Sequence, residues 1–165
     1  MTDGDVMPER PYLDSSVFIA WIKGEKVTKK DGTEEDRGEI ATRILEDAEK
    51  GRFQVFCSTY VAVEVLKDKD RPKLSDDEMG KIDSYLQHEF IIWIELDLSL
   101  ALHARDLARK IGLKPADAVH LASAIRGECD YLFRWDDKWV GGKYDGVEVC
   151  DPFWMGQPTM PGMSA

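Results

Sequence analysis

An α/β fold with a mainly parallel central sheet and helices on both faces is predicted by two features of the sequence. Short apolar runs of strand length alternate with segments whose apolar residues recur at three- and four-residue intervals, the spacing of a helix face. Alternation of this kind implies crossover connections, which bring successive strands into one sheet in the same direction. At 165 residues the chain suits one compact domain with a real core.

Residues 1–9 read as a polar, flexible lead-in, residues 10–150 as the folded domain and residues 151–165, rich in proline, glycine and methionine, as a C-terminal tail. The domain opens with a strand over Arg10 to Asp14 and a helix over Ser15 to Ile22. From Lys23 to Gly38 the only apolar residue is Val27, so an exposed loop is expected. Ile40, Ala41, Ile44, Leu45 and Ala48 then mark a helix that stops at Gly51, and Phe53 to Cys57 a buried strand. Ser58 suits the N-cap of a helix over Thr59 to Lys67 that carries Glu64.

A charged connection, Asp68 to Asp76, precedes a helix marked by Met79, Ile82, Leu86 and Phe90, which leads into a strand over Ile91 to Glu95. The next helix ends near Ile111 at Gly112, and Pro115 opens another that runs to Arg126 and contains Asp117 and His120. Tyr131 to Phe133 form a short strand, Trp135 to Trp139 the loop after it, and Val147 to Val149 a last edge strand.

Composition narrows the function. Hydrophobic residues at 43% and charged residues at 33% exclude wholesale disorder. Cys57, Cys129 and Cys150 form no close pair, so neither a disulfide framework nor a thiolate zinc site is suggested. The acidic start lacks the basic and apolar regions of a secretory leader, and the strongest apolar run, Phe90 to Ile94, is far short of the roughly 20 residues a membrane helix needs. A cytoplasmic protein with no membrane association is the expectation. The net charge of −10 weighs against broad affinity for polyanions, but a nuclease that binds metal through carboxylates carries a built-in negative site.

Four acids carry the chemistry. In an open parallel sheet, ligand sites form beyond the carboxyl ends of the strands. Asp14 ends the first strand, Asp136 follows the strand at Phe133, and Glu64 and Asp117 lie in early turns of helices, so all four can converge on one edge. Clustered carboxylates repel one another and call for protons or a cation. With hard oxygen donors, magnesium leads and manganese is the substitute. Taken singly, Glu64 and Asp117 could serve the helix macrodipole, and Asp136 a solvated turn. Asp14 stands apart, because an acid between an apolar strand and an apolar helix is costly unless it binds something.

The segments Tyr12 to Val17, Ser58 to Glu64, Leu113 to Ala124 and Leu132 to Asp136 resemble those of the PIN-domain nucleases, and among them the VapC-type toxins of toxin–antitoxin pairs. The resemblance implies a three-layer α/β/α sandwich and a magnesium or manganese site made by Asp14, Glu64, Asp117 and Asp136, with Ser15 supporting the pocket. It also implies hydrolysis of single-stranded or loop RNA, a cognate antitoxin and a homodimer. Arg134 departs from the family's small hydroxyl residue two places before the last acid; it is either a phosphate contact or a surface arginine. His120, on the same helix face as Asp117, reads as packing beneath the pocket rather than as a catalytic base. Arg105, Arg109, Lys110 and Lys114 form a basic segment near the site, and the five tryptophans suit core positions or base stacking.

Two rivals remain. An aspartyl-nucleophile phosphohydrolase would have a second aspartate where this chain has Ser16. A catalytically degenerate PIN-like module that only binds RNA or protein would explain Arg134.

Overall fold

A computed structural model describes residues 8–65, 74–135, 139 and 141–155. The chain order is β1 (Pro11–Leu13), α1 (Ser15–Lys23), β2 (Lys26–Thr28), β3 (Glu34–Asp36), α2 (Arg37–Glu49), β4 (Val55–Ser58) and α3 (Thr59–Glu64). There follow α4 (Asp76–Leu86), β5 (Ile91–Ile94), α5 (Leu98–Ile111), α6 (Pro115–Arg126), β6 (Tyr131–Phe133), β7 (Gly142–Tyr144) and β8 (Val147–Cys150). The connection expected at Asp68 to Asp76 falls mostly outside the described residues.

Among the described residues, six strands form one sheet in the order β5-β4-β1-β6-β8-β7. The first five run parallel, and β7 is antiparallel to β8. Alternate residues of each strand point to opposite faces. Leu13, Val55, Cys57 and Phe133 therefore join a core with residues of α1, α2 and α4, while Tyr12, Phe56 and Leu132 join another with residues of α5 and α6. The three-layer α/β/α arrangement with a mainly parallel sheet agrees with the sequence expectation.

Chain order places the site. From β1 the chain builds outward through β4 to β5, then crosses back to β6 on the other side of β1. Strand order thus reverses beside β1, and the crevice at such a reversal, beyond the carboxyl ends of the strands, is where ligands bind in open α/β sheets. Asp14 follows β1 at this point, and Trp135 follows β6.

Two expectations are corrected. The segment after α1 is an antiparallel pair, β2 with β3, rather than a loop. Its pairing is held by backbone bonds and by charge: Lys29 meets Glu35, and Arg37 meets both Glu25 and Glu35. With Val27 its only apolar residue, the pair carries none of the hydrophobic alternation by which strands are read. The strand at Val147 is not an edge strand either, because β7 pairs along its outer side. A two-residue turn joins them, with Asp145 and Gly146 both at positive φ (46° and 86°), the geometry that favours Asp-Gly in tight hairpins.

The chain after β8 packs back onto the body. Phe153 sits against Tyr131 and Phe133, and the indole N–H of Trp154 donates to Asp47 Oδ2 at 2.7 Å. Asp47, 5% exposed, also pairs with Arg52, so a buried carboxylate is satisfied from two directions.

One close approach fixes how α1 and α2 meet. A Cβ added at Gly38 would lie 2.7 Å from Gly24 Cα and 2.8 Å from its carbonyl carbon, both backbone atoms. Gly38→Ala should lower stability by about 1–3 kcal/mol in denaturant unfolding, as overpacking does. Gly80→Ala, in α4 with open space around the new methyl, should instead raise it by roughly 0.5–1 kcal/mol. Equal effects of the two substitutions would contradict the packing described.

Candidate active site

Each acid is placed by a local rule of chain geometry. Asp14 leaves β1 in an extended conformation, φ −88° and ψ 178°, and caps α1. Its Oδ1 accepts the Ser16 N–H at 2.8 Å and also the Ser16 hydroxyl. Ser16 Oγ in turn accepts the N–H of Trp135 at 3.0 Å. The two strand ends at the topological reversal are therefore stitched together through one serine. Ser15, expected to support the pocket, opens α1 half-buried; the hydroxyl that meets Asp14 belongs to Ser16.

Glu64 is the last residue of α3, a helix that Ser58 caps by accepting the Tyr60 N–H. Its Oε1 lies 2.5 Å from His120 Nε2. Asp117 lies in the first turn of α6, which Pro115 starts, one turn before His120. His120, 2% exposed, has Nδ1 2.7 Å from the Tyr12 hydroxyl, and that hydroxyl accepts the Ser58 N–H at 3.1 Å.

His120 reports how the acids converge. Burial acts to lower its pKa, yet the hydrogen bond to Glu64 and the charges of Glu64, Asp14 and Asp117 outweigh it and hold the imidazole above its ordinary range. Glu64 thus bonds the ring directly, and the charges of Asp14 and Asp117 act on it as well. Asp136 lies outside the described residues; Trp135, the last described residue before it, is the one bound to Ser16.

Asp14 feels the same crowding. Desolvation pushes its carboxyl up to about 6, the Glu64 charge adds to this, and His120 with the Ser16 hydrogen bonds only partly offsets it. The donors are carboxylate oxygens, the set a hard divalent cation selects. Among the described residues no three His, Cys, Asp or Glu side chains form a ready-made cage. Magnesium does not require one, since it keeps several waters and binds through one or two carboxylates, and the acid set fits such an ion.

Arg134 is neither at the surface nor free to reach a phosphate. It is 3% exposed, with its guanidinium hydrogen-bonded to the carbonyl of Trp139, 3.2 Å from Asp151 Oδ1 and over the Trp139 ring. A buried cation needs such partners, and they bind the exit of β6 to the region after β8. Trp135 and Trp139 are buried, and Trp21, Trp93 and Trp154 are partly so. Arg105, Arg109, Lys110 and Lys114 are exposed. Lys114 and Asp117, with Leu113, Trp139 and Tyr144, line a cavity of about 300 Å³. A larger one, about 650 Å³ and lined mostly by residues of α2 and α4, contains none of Asp14, Glu64 and Asp117.

The raised Asp14 pKa has a definite sign. A carboxyl that is harder to ionise when folded adds stability below its ordinary value of 3.8 and loses it as pH rises through about 6. In EDTA, the melting temperature of the wild type should fall relative to that of Asp14→Asn as pH is raised from about 4 to about 7. Parallel curves would show that Asp14 is not strained in this way.

The comparisons with known proteins agree with this fold. The structure is similar to the crystal structure of VapC20 from Mycobacterium tuberculosis, a sarcin-ricin-loop-cleaving toxin, with a TM-score of 0.57. The two are 15% identical in sequence, and the match covers 78% of this chain and 91% of that one, a likeness of fold. No curated protein matches the chain. The family model for the PIN domain matches residues 12–139, from the β1 tyrosine that supports His120 to the tryptophan beneath Arg134, and the chain belongs to the PIN domain family.

Proposed function

We propose that this protein is a divalent-metal-dependent endoribonuclease that hydrolyses phosphodiester bonds of single-stranded or loop RNA and acts as the toxin of a toxin–antitoxin pair. The observation that supports the reading is Asp14 at the reversal of strand order, with Glu64 hydrogen-bonded to His120 one turn beyond Asp117 on α6. PIN domains are generally nucleases, and the carboxylates of Asp14, Glu64 and Asp117 are the donors such chemistry would use.

Asp14, Glu64, Asp117 and Asp136 would hold the cation, magnesium with manganese as substitute. When bound, such an ion activates a water and offsets charge on the attacked phosphate and the leaving oxygen. The chain's own work is positional. Ser16 fixes Asp14, and the exposed basic residues Arg105, Arg109, Lys110 and Lys114 supply phosphate contacts that carry no sequence preference. Ser15 lies close enough in sequence to Asp14 to assist substrate binding, whereas Arg134 acts by holding the segment that leads to Asp136. That structural duty removes the main support for a degenerate binding module.

The name of the similar toxin adds a substrate class, since that protein is a sarcin-ricin-loop-cleaving toxin, and loop RNA is the substrate proposed here. A cognate antitoxin, a homodimer and a cytoplasmic location complete the reading, with residues 10–150 as the nuclease body between a lead-in and a tail. Among the described residues no helix is long and apolar enough to cross a membrane.

Asn at position 14 can still accept the Ser16 N–H as a cap while losing the charge. Asp14→Asn and Asp117→Asn should therefore each reduce cleavage of a loop RNA by roughly 100-fold or more, with the unfolding midpoint at neutral pH not lowered. EDTA should abolish wild-type cleavage, and added Mg2+ or Mn2+ should restore it. Full activity in either variant, or cleavage indifferent to EDTA, would refute the proposal.

A further inference from the structure

We infer that Tyr12 and His120 are positioning residues for the acid site, fixing one oxygen of Glu64 so that the other faces the cation; the inference rests on the metal site proposed above. The hydrogen-bond directions support it. The Ser58 N–H can only donate, and it donates to the Tyr12 oxygen. In the neutral ring the Tyr12 O–H donates to His120 Nδ1 and the N–H at Nε2 donates to Glu64 Oε1; in the protonated ring Nε2 donates to Glu64 as well. One orientation of the ring satisfies every member of the chain.

Burial makes that orientation stable. Tyr12 and Ser58 are fully buried and His120 is 2% exposed, so water does not compete for these bonds. Glu64 needs such an anchor: it ends a helix of six residues, and its long side chain is 21% exposed. Left alone, a glutamate there would lose rotamer freedom on binding a cation. The chain of bonds joins β1, the start of α3, α6 and Glu64, so the strand that carries Asp14 and the helix that carries Asp117 both set the position of the third acid.

Packing alone makes a different prediction. If His120 merely filled space, a leucine would leave Glu64 unaffected. The test is Mn2+ binding to the metal-free protein, followed by electron paramagnetic resonance, at a temperature where thermal melts show each variant folded. His120→Leu and Tyr12→Phe should each weaken Mn2+ binding, the former by about 10- to 100-fold. His120→Gln, whose amide N–H can reach the position of Nε2, should recover most of the loss.

Wild-type Mn2+ affinity in folded His120→Leu or Tyr12→Phe would overturn the inference, as would His120→Gln binding no better than His120→Leu. If His120→Leu does not fold, Tyr12→Phe and His120→Gln decide: weakened binding in the first with near-normal binding in the second supports the role, and any other pairing overturns it. The metal site itself is tested separately by the wild type and Asp14→Asn. A wild type that binds no Mn2+ overturns that site and this role together, whereas strong wild-type binding, lost in Asp14→Asn but unaffected by the Tyr12 and His120 substitutions, overturns only the role.

Discussion

β1 has hydrogen-bonded neighbours on both edges, and each is reached by a long excursion of chain. Tyr12 pairs in register with Phe56 on one side and Leu132 on the other. Pro11, which has no N–H to offer, stands at the start of the strand, where the missing donor costs least. With only three residues, β1 determines which side chains enter each core: Leu13 points to the helices before β5, and Tyr12 to those after it. Because the strand ends at Asp14, the same pairing brings the first acid to the reversal of strand order.

The acids meet at an electrostatic cost, and the surrounding groups reduce it in different ways. Asp14 receives two donors from Ser16, Glu64 receives the imidazole, and Asp117 lies in the first turn of α6, where a helix favours negative charge. The result is a site in which Asp14 is restrained by its donors but still harder to ionise than on an open surface. A region that gathers like charges in this way gains most from a cation, and its preference for hard ions follows from having only oxygen to offer.

Much of this was legible in the sequence because the signals are local. Asp14 between an apolar strand and helix, Ser58 as a cap, Gly112 as a helix stop and Pro115 as a helix start each state their role within a few residues, and the structure places them so. The bonds of His120 to Tyr12 and Glu64 were not legible, because they join residues far apart in the chain and no spacing encodes them. Arg134 was misread for the same reason, since its partners Trp139 and Asp151 become neighbours only when β8 lies beside β6. The β7–β8 hairpin did carry a local sign, Asp145-Gly146, but its glycine and lysine residues concealed the strand before it. At Asp14 the choice between two adjacent serines depended on side-chain geometry that sequence does not express.

The bond from Ser16 to Trp135 has a consequence for the timing of synthesis. The residues around Asp14 leave the ribosome early, yet the partners that hold them, the Phe133 carbonyl and the Trp135 amide, come near the end of the domain. Until β6 is in place, β1 has one bare edge and Ser16 lacks its second partner, so a partly made chain holds its first acid without the frame that organises the others. Domains fold as units once their chain is available. The finished acid site therefore forms only when nearly the whole domain has emerged from the ribosome.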